Sequence, residues 1–66
     1  MNRISTHRIL QLVSLQATIQ SLISVHSRCA SNLSRIGNVI GANHYNAILS
    51  REKLLEKRID RRLAHS

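Results

Sequence analysis

Apolar residues recur with heptad spacing along most of the first forty residues, and this repeat constrains the fold more than any other feature of the sequence. With Leu12 placed at position a, eight of the nine a and d sites are apolar, and His26 is the exception. Position a holds Leu12, Ile19, His26, Leu33 and Ile40, and position d holds Leu15, Leu22, Cys29 and Ile36. A repeat sustained over about four heptads is typical of a coiled coil.

The apolar stripe is wider than a and d alone. Ile23 and Ala30 extend it at position e, and Val25 and Val39 extend it at position g. A stripe of this width favours a helix in a multi-helix core over one strand of a bare two-stranded coil.

Helix breakers are confined to one region, because the chain has no proline and its glycines are Gly37 and Gly41. We therefore predict an all-α hairpin in one small domain, with helix 1 over about residues 4–38, a turn within 37–44 and helix 2 over about 44–64. Ser5 or Thr6 is expected to cap helix 1. Gly41 is expected to close helix 1 in the left-handed conformation, and Asn43 is expected to cap helix 2.

A chain of 66 residues buries little surface alone, and one cysteine cannot form an internal disulfide. We expect a second copy or a helical partner to complete a bundle. A shorter helix 2 would cover only the C-terminal part of helix 1, so the uncovered N-terminal stripe predicts the partner site. Its residues are Ile9, Leu12, Leu15, Ile19 and Leu22. The resulting hypothesis is a small, non-enzymatic assembly or adaptor protein that acts through protein–protein association.

The charge distribution supports an alternative function. The net charge is +7, and the three acids, Glu52, Glu56 and Asp60, all lie in the last fifteen residues. Lys53 with Glu56, and Lys57 with Asp60, have the spacing of weak surface pairs. A basic surface of this kind favours acidic partners, so a nucleic-acid-binding helical dimer that contacts phosphates is the alternative hypothesis. Its contact residues would be Arg51, Arg58, Arg61, Arg62, Arg28 and Arg35.

His26 is the polar break in the heptad stripe. It is expected to set the helix register, or to make association sensitive to pH, because a protonated imidazole in an apolar seam opposes assembly. The sequence contains no paired carboxylates, no glycine-rich phosphate loop and no zinc-type Cys/His spacing. We expect no catalysis, no metal, no cofactor and no small-molecule substrate.

Residues 9–27 carry no formal charge, which invites a membrane interpretation. Gln11, Gln16 and Gln20 interrupt this run and argue against a spanning helix. An amphipathic membrane-surface segment or an organelle-targeting segment is the further alternative, because the first fifty residues are Ser-rich and free of acid. The expected location is intracellular and cytoplasmic, with organelle targeting left open.

Residues 33–38 resemble a short motif of plasmid-mobilisation accessory proteins, but residues 39–42 depart from that pattern. The expected hairpin is similar, in architecture only, to small helical chaperones of bacterial secretion systems and to plasmid RNA-binding hairpin dimers. No residue motif supports either likeness, and no family is assigned from the sequence.

Overall fold

The computed structural model describes residues 5–65, which form two antiparallel helices, α1 (Thr6–Arg35) and α2 (Val39–Ala64). The molecule is a rod about 52 Å long and 16 Å by 12 Å in cross-section. The predicted all-α hairpin is confirmed. Residue 4, where helix 1 was expected to begin, lies outside the described residues.

The start of α1 follows the capping prediction. Ser5 is the N-cap, and its hydroxyl accepts a hydrogen bond from the backbone N–H of Arg8 at 3.2 Å. This bond satisfies one of the backbone donors that every helix N-terminus leaves without an intrahelical partner. From there α1 runs through Arg35, since nothing in the intervening sequence breaks a helix.

The turn is shorter than predicted, and the expectation that Gly41 closes helix 1 was wrong. Gly37 takes the left-handed conformation instead, with φ of 84°. Its N–H donates to the carbonyl of Ser34, and the N–H of Asn38 donates to that of Leu33, which is a Schellman motif. Asn38 then caps α2, because its side-chain oxygen accepts from the N–H of Gly41. Asn43 lies inside α2.

Gly41 has a different role, because it allows α1 and α2 to approach closely beside the turn. A Cβ at this position would lie 3.0 Å from Cδ1 of Leu33 and 3.1 Å from the capping oxygen of Asn38. The missing side chain therefore leaves room both for the packing of Leu33 and for the cap.

The seam between the helices contains the a and e rows of α1, and most of the d row lies outside it. The α1 residues that are buried or half-buried repeat at alternating steps of three and four, on positions a and e. They are Ile9, Leu12, Gln16, Ile19, Ile23, His26, Ala30 and Leu33. The matching row on α2 is Ala42, Tyr45, Leu49, Glu52, Glu56, Ile59 and Leu63. Cys29 is the half-buried member of the d row, while Leu15, Leu22 and Ile36 are exposed.

The length argument for an uncovered N-terminal stripe also needs correction. Because α2 begins at Val39, it spans 26 residues and reaches further back along α1 than a helix beginning at residue 44 would. Gln16 bonds to Asp60, and Ile19 is only 6% exposed. The apolar surface that remains exposed is therefore set by the direction in which each row faces, and not by a difference in helix length.

Candidate interaction surfaces

A polar pair lies in the middle of the seam, where the sequence showed only an isolated histidine. Nδ1 of His26 lies 2.8 Å from Oε1 of Glu52, and Glu52 is buried. A carboxylate only accepts hydrogen bonds, so the ring donates from Nδ1. Tyr45 packs beside the imidazole with ring centroids 5.7 Å apart.

This pair changes the interpretation of His26. The seam around His26 is not purely apolar, because the carboxylate of Glu52 lies beside its ring. The predicted pH dependence of association stays a prediction. A shift of either helix by one turn would separate His26 from Glu52, and the role of His26 in setting the register stays a prediction.

All three carboxylates of the chain lie on the side of α2 that faces α1. Glu52 is buried against His26, Glu56 is half-buried, and Asp60 accepts a hydrogen bond from the side-chain amide of Gln16. The predicted surface pairs of Lys53 with Glu56 and of Lys57 with Asp60 do not form. Within residues 5–65, no lysine or arginine makes an ion pair with a carboxylate. The outer surface of that part of the chain is therefore cationic without internal neutralisation.

Two contacts establish which rows of the helices share a side of the hairpin. Around α1, position a lies between d and e. Leu33, at a, packs against Gly41, whereas Gln16, at e, reaches Asp60. The d side of α1 therefore adjoins the α2 row that begins at Gly41 and repeats every seven residues. That row contains Ile48, Leu55 and Arg62, and the row of Asp60 on the opposite side contains Asn46 and Lys53.

The side with the d row carries a continuous apolar surface, which we name the apolar face. It consists of Leu15, Leu22, Val25 and Cys29 on α1 with Ile48 and Leu55 on α2. Leu15 is 48% exposed, Leu22 42% and Leu55 46%. The opposite side presents Val13 near the start of α1 and otherwise mainly Gln20, Ser27, Ser34, Asn46 and Lys53. A contiguous apolar surface on one side of a small protein is the usual mark of an interaction site.

The predicted partner-binding residues lie in two different places, the apolar face and the seam between the helices. Leu15 and Leu22 lie on the apolar face. Ile19 is buried between the helices, and Ile9 and Leu12 are half-buried in the same seam. The last three therefore hold the hairpin together. Ile48 and Leu55 on α2 were missed as surface residues, although their seven-residue spacing was visible in the sequence.

The six predicted nucleic-acid contacts are all exposed, but they do not form one surface. Arg51 and Arg58 share a row immediately beside Ile48 and Leu55, and Arg62 continues the row of those two residues. We name Arg51, Arg58 and Arg62 the basic rim. Arg61 lies on the outer edge of α2, in the row of Leu54, and Arg28 and Arg35 lie on the outer edge of α1.

A second apolar cluster lies at the tip of the hairpin. Ile36, Val39 and Ile40 are exposed around the turn, and Ile40 reaches 86%. The heptad assignment had placed all three in the stripe of helix 1. Because Gly37 ends that helix, these residues turn away from the seam.

Residues 5–65 contain no metal cluster, and one of their helices passes a simple test for a membrane span. No group of three or more His, Cys, Asp or Glu residues there has a metal-binding arrangement. By length and composition alone α1 is apolar enough to cross a membrane, a test that core helices of soluble proteins and N-terminal signal sequences also pass. Gln16 and His26 would lose their partners on α2 if α1 entered hydrocarbon alone.

The geometry thus presents two adjoining surfaces, the apolar face and the basic rim beside it. Comparison of the chain with protein-family models, with curated protein sequences and with solved structures finds no match.

Proposed function

We propose that this protein is a small, non-enzymatic helical assembly protein that acts by packing its apolar face against another helical surface. The observation that carries the proposal is the exposure of Leu15, Leu22 and Leu55 together on one side of the hairpin. A scattered exposed leucine needs no explanation, whereas three exposed leucines from two helices on one side do.

The surface area of the chain supports the same proposal. The chain exposes 5320 Å² of accessible surface. A compact monomer of its mass, 7.5 kDa, is expected to expose about 4,200 Å². The excess is on the order of 1,000 Å², and one side of a standard protein–protein interface buries about 800 Å².

The core of the hairpin is correspondingly thin. Among the described residues no side chain is less than 2% exposed. Two helices alone cannot enclose a side chain on all sides, and a third or fourth helix laid on the apolar face would do so for the a row and the d row together.

Photo-crosslinking in the cells that make the protein tests this proposal without knowledge of the partner. A p-benzoylphenylalanine residue replaces Val25, at the edge of the apolar face, and in the matched control it replaces Leu54 on the outer edge of α2. We expect adducts of discrete mass from position 25, lost when Leu22→Glu is added, and no such adducts from position 54. The proposal fails if position 25 yields no adduct or if both positions yield the same set.

A further inference from the structure

We infer that the occupant of the apolar face is an amphipathic helix whose flanks are acidic, supplied by a different protein. This inference rests on the proposed function and adds the chemistry of the partner. It follows from the position of the basic rim and from the placement of the chain's own carboxylates.

The basic rim lies where it would flank any helix seated on the apolar face. Arg51 and Arg58 stand one heptad apart, about 10.5 Å along α2, and Arg62 follows one turn later, about 6 Å further on. All three are exposed, and none has a carboxylate partner within residues 5–65. A helix packed against Ile48 and Leu55 would place its own flanking residues within reach of these guanidinium groups.

A second copy of this chain has no side-chain carboxylate on its own apolar face or basic rim to supply the complementary charge. Glu52 and Asp60 are each bonded to a residue of α1, and Glu56 is half-buried on the same side of α2. Two copies would also bring together chains that each carry a net charge of +7. The partner that satisfies both surfaces has apolar residues at heptad spacing and Glu or Asp beside them.

Nucleic acid would complement the basic rim but not the apolar face. Phosphates would suit the arginines, but they offer nothing to Leu15, Leu22 and Leu55, and the described residues provide a single tyrosine, half-buried at position 45, for base stacking. Helix-in-groove recognition by apolar anchors with charged flanks uses both features of the surface.

The test uses the full chain and two synthetic helical peptides of three heptads. Both peptides have leucine at their a and d positions, one with glutamate and the other with lysine at the flanking e and g positions. Binding is measured by fluorescence anisotropy at about 0.05 M and 0.2 M salt, because exposed charge pairs weaken as salt rises. We expect the glutamate peptide to bind about tenfold more tightly at low salt, from three rim pairs of ordinary surface strength.

A charge swap with a matched control locates the effect. Arg51→Glu with Arg58→Glu should reverse the preference toward the lysine peptide. Lys53→Glu with Lys57→Glu makes the same change in net charge away from the apolar face, and it should leave the preference for the glutamate peptide in place. Leu22→Glu should abolish binding of both peptides while circular dichroism shows that the helices remain, and Leu54→Glu should not.

The outcomes separate the two proposals. Equal binding of both peptides, still lost with Leu22→Glu, overturns the acidic partner and leaves the association function standing. Charge-selective binding that survives Leu22→Glu overturns both. Two further results would also overturn the acidic partner. One is a native mass that stays dimeric when the wild-type chain alone is diluted in tenfold steps. The other is tighter binding to a short DNA duplex or to anionic vesicles than to the glutamate peptide.

Discussion

The division of α1 into two apolar rows predicts that neighbouring residues one turn apart serve different purposes. Ile19, 6% exposed, lies in the seam, and Leu22, 42% exposed, lies on the apolar face. Truncation of each to alanine should therefore affect two different measurements. Ile19→Ala should lower the free energy of unfolding of the hairpin, and Leu22→Ala should mainly weaken association.

The magnitudes follow from burial. A buried Ile→Ala substitution costs about 2–5 kcal/mol, and the low end applies here because the two-helix seam can partly close around the missing atoms. Leu22 leaves 42% of its surface exposed in the hairpin, so its truncation should cost about 1 kcal/mol, roughly half the transfer free energy of a leucine side chain. For a domain of this size each kcal/mol lowers the melting temperature by about 4–8 °C. Burial of the exposed half of Leu22 by a partner is worth a similar amount, or about a fivefold change in Kd.

The assay is thermal unfolding followed by circular dichroism, over at least a tenfold range of protein concentration so that any association becomes visible. Peptide affinity is measured on the same samples. We expect the Ile19→Ala variant to have a melting temperature well below that of the Leu22→Ala variant. Relative to its loss of stability, the Leu22→Ala variant should lose more affinity for the glutamate peptide. Equal destabilisation of the dilute chain by both substitutions would show that the d row forms the core, and the assignment of the two rows would then be refuted.

The turn and the polar pair give two further predictions. Gly37→Ala should cost about 1–2 kcal/mol although no atom lies within 4 Å of the new Cβ, because its φ is 84°; Gly37→Asn should cost less, and urea unfolding that ranks them otherwise would contradict the strain argument. His26→Leu leaves the buried carboxylate of Glu52 without its 2.8 Å partner and should cost about 1–3 kcal/mol. The double substitution with Glu52→Leu should recover most of that loss, and a double variant no more stable than His26→Leu alone would show that the pair does not act as a unit.

The two helices could be predicted from the sequence because they depend on interactions between residues that are close together in the chain. The absence of proline, the serine before the first apolar residue and the heptad spacing all act within a turn or two of the chain. The two glycines could not be told apart in this way. Gly37 and Gly41 are both plausible helix ends, and the choice depends on whether Asn38 can cap the next helix while Leu33 packs into the space at Gly41.

The direction of the stripe could not be read from helix 1 alone. From Leu15 onward the d row is wholly apolar, whereas the e row contains Gln16, so hydrophobicity favours d for the core. The e row lies in the seam instead, because α2 provides polar partners at the same heights along the hairpin: Asp60 for Gln16 and Glu52 for His26. These pairs are 44 and 26 residues apart in the chain, and no periodicity within one helix contains that information.

The same pairs explain how a chain can leave its more apolar row outside. If apolar burial alone had decided the arrangement, Leu15 and Leu22 would lie in the seam and Gln16 in solvent. The polar contacts of Gln16 and His26 instead bind the three-carboxylate side of α2 to the less apolar side of α1, and this has two consequences on opposite surfaces. The leucines of the apolar face remain exposed, and the arginines of the basic rim remain without acidic neighbours among the described residues. Mutual repulsion between such basic chains opposes their association through the leucines, while an acidic helix would be attracted to both surfaces. The buried polar seam and the exposed surface that suits an acidic partner would then both follow from which face of each helix lies in the seam, and exchanging Glu52 and Asp60 for neutral residues should weaken the register of the hairpin.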